Sequence, residues 1–220
     1  MDHELVRVPD EGSLASRAAV MVAGRARAAV ADHGRFLFAV SGGRTPWAMF
    51  AQLSHDDVPW KSVQIYQVDE RVAPEGSPDR NLTHLSDALA GTQAQVIPMP
   101  VGAPDLEAAA AGYAGLLPER FDLVHLGLGP DGHTASLVPG DPVLDVTDRL
   151  VAVTQPYQGN KRMTLTYPAL SRADELLWLV GGEDKQAALA KLLAGDRSIP
   201  AARVEAARSI VVADASALPS

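Results

Sequence analysis

The chain contains no cysteine. Disulfides, thiolate nucleophiles and cysteine-ligated metal centres are therefore excluded. No H-E-x-x-H pattern and no clustered His/Asp/Glu spacing is present, so no metal site is expected. A G-x-S-x-G elbow is also missing: Ser41 is followed, not flanked, by glycines, which argues against a serine hydrolase. Long apolar runs are absent, since Arg25 and Arg27 interrupt the stretch at 20–30 and nothing approaches the roughly 20 apolar residues of a membrane span. The N-terminal segment has no basic region followed by an apolar one, so no signal peptide is expected and a cytoplasmic setting is. Positive charge is in the minority, at 19 Lys and Arg against 27 Asp and Glu, a net charge of −8. This argues against nucleic acid or an anionic membrane as partner. A small anionic ligand is still allowed, because a local cluster of Arg and Lys can override the global field.

What is present suits an ordinary globular protein: 220 residues, 47% hydrophobic and 21% charged, ample for a core. Low-complexity linkers, charge blocks and internal repeats are missing, so residues 1–220 are expected to form one domain, a monomer or weak homo-oligomer. Apolar runs at 5–8, 36–40, 63–68, 123–126, 176–180 and 209–213 read as strands, with shorter candidates at 95–98, 149–153 and 162–166. Helices are expected from Ser13, as N-cap, to about Asp32, from Pro46, from near Asn81, over 106–117 behind Asp105, and over 183–193. Such alternation predicts an α/β protein with a mainly parallel sheet covered on both faces.

The chemistry-bearing residues gather where strands end. After the strand at 123 come Gly127, Gly129 and Gly132, with Asp131 and His133 among them and residues 134–137 as a possible helix start. The spacing formally matches a dinucleotide fingerprint. However, it lies past mid-chain, and Asp131 would set a negative charge against a pyrophosphate. Ser41-Gly42-Gly43 precedes a helix, where backbone N–H groups can cradle a phosphate, with Arg44 and Thr45 beside it. Asp69-Glu70-Arg71 ends another strand, and Lys185 follows Gly181-Gly182. In a parallel sheet all these ends share one edge, so residues far apart in sequence should meet in one crevice. His125, inside an apolar run, is expected in the core.

Taken together, SGGRTP at 41–46, DERVAP with Asn81 at 69–81, GLGPDGHTASLVPG at 127–140, RMTLTYPAL at 162–170 and GGEDKQAAL at 181–189 resemble the 6-phosphogluconolactonase family. SGG-x-TP alone marks only the wider superfamily shared with glucosamine-6-phosphate deaminases. Val138 and Arg80 depart from residues common in the family. The resemblance implies a Rossmann-like three-layer fold and hydrolysis of 6-phosphoglucono-1,5-lactone, the second step of the oxidative pentose phosphate pathway, with no cofactor. It assigns His133 to proton transfer, with Asp69 or Asp131 orienting the imidazole. Arg71 or a backbone N–H would meet the oxyanion. Residues 41–45, Asn81, Gly132, Arg162 and Lys185 would hold the substrate and its phosphate. A deaminase/isomerase and a non-catalytic sugar-phosphate-binding module are the alternatives. The first would require an acidic residue after the histidine, where this chain has Thr134-Ala135-Ser136-Leu137-Val138.

Overall fold

The computed structural model describes residues 2–219. The chain opens with strand β1 (Glu4–Val8) and helix α1 (Glu11–His33). Asp10, rather than the expected Ser13, caps α1: its carboxylate accepts the Ser13 N–H, so Ser13 lies inside the first turn. The far end closes on Gly34, whose φ of 83° is left-handed, with its N–H donated to the Val30 carbonyl at 3.0 Å. Along the helix Leu14, Ala18, Val22 and Ala26 recur every fourth residue and are all buried. The alanines among them let α1 lie close to the sheet.

Strand β2 (Phe36–Val40), helix α2 (Arg44–Leu53) and strand β3 (Val63–Gln67) follow, then the three-residue β4 (Asp69–Arg71), α3 (Asn81–Ala88), β5 (Gln95–Ile97), α4 (Leu106–Ala114) and β6 (Leu123–Gly127). The second half supplies β7 (Val151–Val153), β8 (Arg162–Leu165), the short α5 (Tyr167–Leu170), β9 (Glu175–Val180), α6 (Gln186–Leu193) and β10 (Arg208–Asp214). Seven strands form one sheet in the order β1-β10-β9-β6-β2-β3-β5, every neighbouring pair parallel. Side chains alternate across it. Phe36, Phe38 and Val40 pack under α1, α2 and α3, whereas Leu37 and Ala39 face the other way, toward α4 and α6. Both faces are covered, which is why β2 and β9 read as unbroken apolar runs. The expected three-layer α/β architecture is thus present.

Three further features differ from expectation. Residues 69–71 do not merely end β3; as β4 they join a second, antiparallel sheet in the order β4-β8-β7. Residues 134–137 form a tight turn rather than a helix, closed by the Leu137 N–H on the Thr134 carbonyl at 2.9 Å. The last helical stretch begins as a 3-10 turn at Glu183–Lys185. No helix among the described residues is long and apolar enough to cross a membrane.

Candidate functional site

The strand order reverses between β2 and β6: the chain leaves β2 toward β3, while β6, β9 and β10 build the other half. At such a switch point the loops after neighbouring strands diverge and leave a crevice at the carboxyl edge. A cavity of about 350 Å³ opens there. Of the residues singled out in the sequence, Ser41, Gly42, Gly43, Arg44, Thr45, Asp69, Arg71, Asn81, His133, Arg162 and Lys185 all line it. Asp131 and Gly132 do not. Asp131 reaches the cavity through His133, and Gly132 packs against Ile199, where a Cβ would lie 2.5 Å from two Ile199 carbons.

One wall is an anion cradle. The Ser41 N–H is occupied by the His125 carbonyl at 3.2 Å and by His125 Nδ1 at 3.3 Å. Beyond it, the N–H groups of Gly42, Gly43, Arg44 and Thr45 make no hydrogen bond to any described residue, and Pro46 has none to offer. The first helical bond runs from the Trp47 N–H to the Gly43 carbonyl. Free donors and the α2 dipole together favour an anion. Gly42 is required by a close approach: a Cβ there would stand 2.0 Å from Asn81 Oδ1. The Ser41 hydroxyl is buried and without a partner.

Cations stand around the cradle. Arg162 is 5% exposed, with its guanidinium 5.0 Å over the Tyr157 ring. Its Nη2 makes only long hydrogen bonds to the Tyr157 carbonyl and Gln158, and its Nε is buried unpaired. Burial pulls the Arg162 pKa below the usual arginine value, although the Asp69 charge opposes this. Lys185 pairs with Asp184 at 2.9 Å, and the exposed Arg44 leans on Glu11 at 2.9 Å. Arg71 donates to the Asp79 carbonyl at 2.8 Å.

The opposite wall carries His133. Its turn is closed by the Gly129 N–H on the His133 carbonyl and the Gly132 N–H on the Gly129 carbonyl, and Gly132 takes φ 82°. A Cβ on Gly129 would lie 2.1 Å from His133 Nδ1, so the imidazole rests directly on that glycine. Asp131 Oδ1 accepts the His133 backbone N–H at 3.1 Å and lies 2.5 Å from Nδ1. Partial burial alone would raise the Asp131 carboxyl. The His133 backbone N–H, ring and charge outweigh that and hold it below the usual carboxylate range. With Nδ1 engaged, Nε2 is the free ring nitrogen.

Asp69 makes different contacts. It accepts the Ser136 hydroxyl at 2.6 Å, and Asn81 Nδ2 donates to its backbone carbonyl at 3.0 Å. Burial raises its pKa against the opposing effects of Ser136 and Arg162. Of the two carboxylates that could orient the imidazole, it is Asp131 that touches it. In the sequence Glu70 reads only as part of the 69–71 cluster, with no role of its own, and Ser136 and Tyr157 are not singled out. Glu70 is fully buried and accepts the N–H groups of Arg71, Asn81 and Leu82 and the Gln67 amide. Strand alternation held a signal for it, since Asp69 and Arg71 share one face of β4 and Glu70 takes the other. Tyr157, whose ring centroid is 5.7 Å from that of His133, carried no such signal. Among the described residues no group of three or more His, Asp or Glu could hold a metal ion.

The class so defined is an α/β protein with an open parallel sheet, whose switch-point crevice sets free backbone N–H groups at a helix start against an aspartate-held histidine. Residues 9–212 match the family model described as glucosamine-6-phosphate isomerases/6-phosphogluconolactonase, and the chain belongs to that family. It is 38% identical over 196 residues to a 6-phosphogluconolactonase of Synechocystis sp., covering 82% of this chain and 81% of that one. The crystal structure of a 6-phosphogluconolactonase from Shewanella baltica superposes with a TM-score of 0.87 at 25% identity, over 97% of this chain and 98% of the other. A monomeric glucosamine-6-phosphate deaminase superposes with a TM-score of 0.86 at 19% identity, covering 97% and 98% of the two chains. That likeness concerns the fold alone.

Proposed function

We propose that this chain hydrolyses 6-phosphoglucono-1,5-lactone to 6-phosphogluconate, with His133 as general base and then general acid. Since the fold is common to lactonases and deaminases, the reading rests on the site. The observation that carries it is the Asp131–His133 pair. Nδ1 is committed to Asp131, which leaves Nε2 to take a proton from a water in the cavity. That water attacks the lactone carbonyl, a tetrahedral oxyanion forms, and the ring oxygen leaves, protonated by the imidazolium. The phosphate rests on the free N–H groups of residues 42–45 with Arg162 and Lys185 as counter-charges, Arg162 Nε being a buried donor that lacks an acceptor. Relatives named 6-phosphogluconolactonase support the same substrate. Against deamination, the buried Val138 stands where the related deaminases carry an acid.

The test is a lactonase assay with freshly generated lactone, corrected for spontaneous hydrolysis, with glucosamine 6-phosphate run beside it. His133→Ala should lose about 10²–10⁴-fold in kcat yet still bind 6-phosphogluconate. His133→Asn keeps a hydrogen-bonding group but cannot shuttle a proton, so it should be nearly as poor. Near-wild-type turnover by His133→Asn would remove the proton-transfer role, and release of ammonia from glucosamine 6-phosphate would replace the substrate.

A further inference from the structure

The sequence block around His133 contains a backbone anomaly that the proton-transfer scheme leaves unused. Ala135 has φ 50°; it and Gln158 are the described non-glycine residues in the left-handed region. An L-residue disfavours this conformation because its Cβ crowds the backbone, so it persists only where the surroundings enforce it. Here both neighbours are pinned. Thr134 Oγ1 donates to the Gly127 carbonyl at 2.9 Å, and Ser136 Oγ donates to Asp69 at 2.6 Å. The Ser136 N–H reaches Thr164 Oγ1 at 3.2 Å. Thr134 and Ser136 are both buried, which makes these contacts hard to exchange for water. Between them Ala135 lines the cavity two residues from His133, and its N–H makes no hydrogen bond to any described residue.

We propose that the Ala135 backbone N–H is the oxyanion donor of the site, and that Asp69, Ser136 and Thr134 are positioning residues that hold Ala135 in the left-handed conformation. The inference rests on the lactonase reading and deepens it. As the water oxygen bonds to the lactone carbonyl carbon, its proton passes to His133 Nε2 and the carbonyl π pair moves onto oxygen. The amide meets that charge. On collapse the pair returns, the bond from that carbon to the ring oxygen breaks, and His133 gives its proton to the leaving oxygen. The carboxylic acid so formed loses a proton to solvent. A fixed, unengaged amide suits charge that exists only in the transition state, because it needs no reorganisation when the charge appears. Arg71 is less suited, since it is a charged side chain on a flexible stem with one donor already on the Asp79 carbonyl, whereas the Ala135 amide is fixed by the backbone. The assignment also accounts for a carboxylate buried at Asp69 out of contact with the imidazole: it holds Ser136.

Replacing Ala135 by L-lactate, an amide-to-ester change at one position, deletes the N–H and keeps the side chain. kcat should fall about 10²–10³-fold while 6-phosphogluconate affinity by calorimetry stays within about threefold. Ala135→Gly, free to adopt the same φ, should keep most of kcat. The β-branched Ala135→Val should lose it with product binding retained. Wild-type kcat in the ester variant would overturn the assignment, as would a loss of product affinity parallel to the loss of kcat, which marks a structural role only. Failure of the lactonase reading itself would appear in the unmodified protein, as no turnover of the lactone.

Discussion

His125 sits at the centre of the large sheet, fully buried, with Nε2 bonded to nothing. Burial pushes its pKa down to about 3 from an ordinary 6.5. The folded chain therefore keeps it neutral while the unfolded chain takes up a proton below about 6.5. Stability is lost as the pH falls from there toward 3. Replacing it with leucine removes both the orphaned nitrogen, worth about 1–3 kcal/mol, and the proton linkage. His125→Leu should raise the Tm by a few degrees at pH 7 and by more at pH 5, at about 2–4 °C per kcal/mol for a chain of this size. A Tm that is unchanged at both pH values would mean the nitrogen has a partner. The position of His125 was legible from its apolar neighbours, and so was the Asp131–His133 pair, because two residues on one turn must lie close. The partner of Asp69 was not legible: Ser136 lies 67 residues away, and no local pattern announces a contact across two loops.

At the level of elements, the long parallel strands were readable because burial on both faces leaves an apolar run. In the β4-β8-β7 sheet, β7 and β8 fall on the shorter candidates at 149–153 and 162–166, but β4 and the pairing were not readable. The strands of this sheet are three or four residues long, β4 is entirely charged, and the pairing joins 69–71 to 162–164. The turn at 134–137 misled for another reason: local composition favours a helix, but buried side-chain hydrogen bonds on both flanks override it. Within β4, Glu70 acts as a strut between the sheet and the start of α3, and the Arg80 guanidinium stands 3.4 Å away. Arg80, a departure from the family pattern, thus packs beneath the loop against this carboxylate. Glu70→Gln keeps the shape but turns an N–H toward donors and removes the charge that faces Arg80. We expect a loss of about 3–5 kcal/mol, as for a broken buried pair, read as a lower urea midpoint, together with a raised KM because Arg71 and Asn81 lose their anchor. An unaltered midpoint would show that the strut is dispensable. Gly129→Ala is the companion in the loop after β6. The new Cβ would displace the imidazole, so kcat should fall with little change in KM; a retained kcat would mean the ring can work from elsewhere.

Across the whole molecule, the topology reconciles a net charge of −8 with an anionic ligand, because it brings Arg44, Arg71, Arg162 and Lys185 from four segments to one cavity. Arg162→Ala and Lys185→Ala should each raise KM about tenfold or more with a smaller effect on kcat, since hydrogen bonds to charged groups contribute about 1.5–3 kcal/mol in ground and transition states alike. Unchanged KM in both variants would place the phosphate elsewhere. The second sheet adds a consequence of its own. Its register sets Arg71 directly opposite Arg162, so the two side chains leave the same face of neighbouring strands, and the Arg71 charge opposes that of Arg162. Like charges so placed repel. The Asp69 charge offsets part of this repulsion, and an anion bound beside Arg162 is expected to offset more of it, so heat resistance becomes a gauge of loading. Inorganic phosphate at about 100 times its Kd should add about 2.7 kcal/mol to the stability of the fold. Arg162→Ala should blunt that response, read as a smaller phosphate-induced rise in Tm, and an undiminished rise would mean that the anion binds away from Arg162.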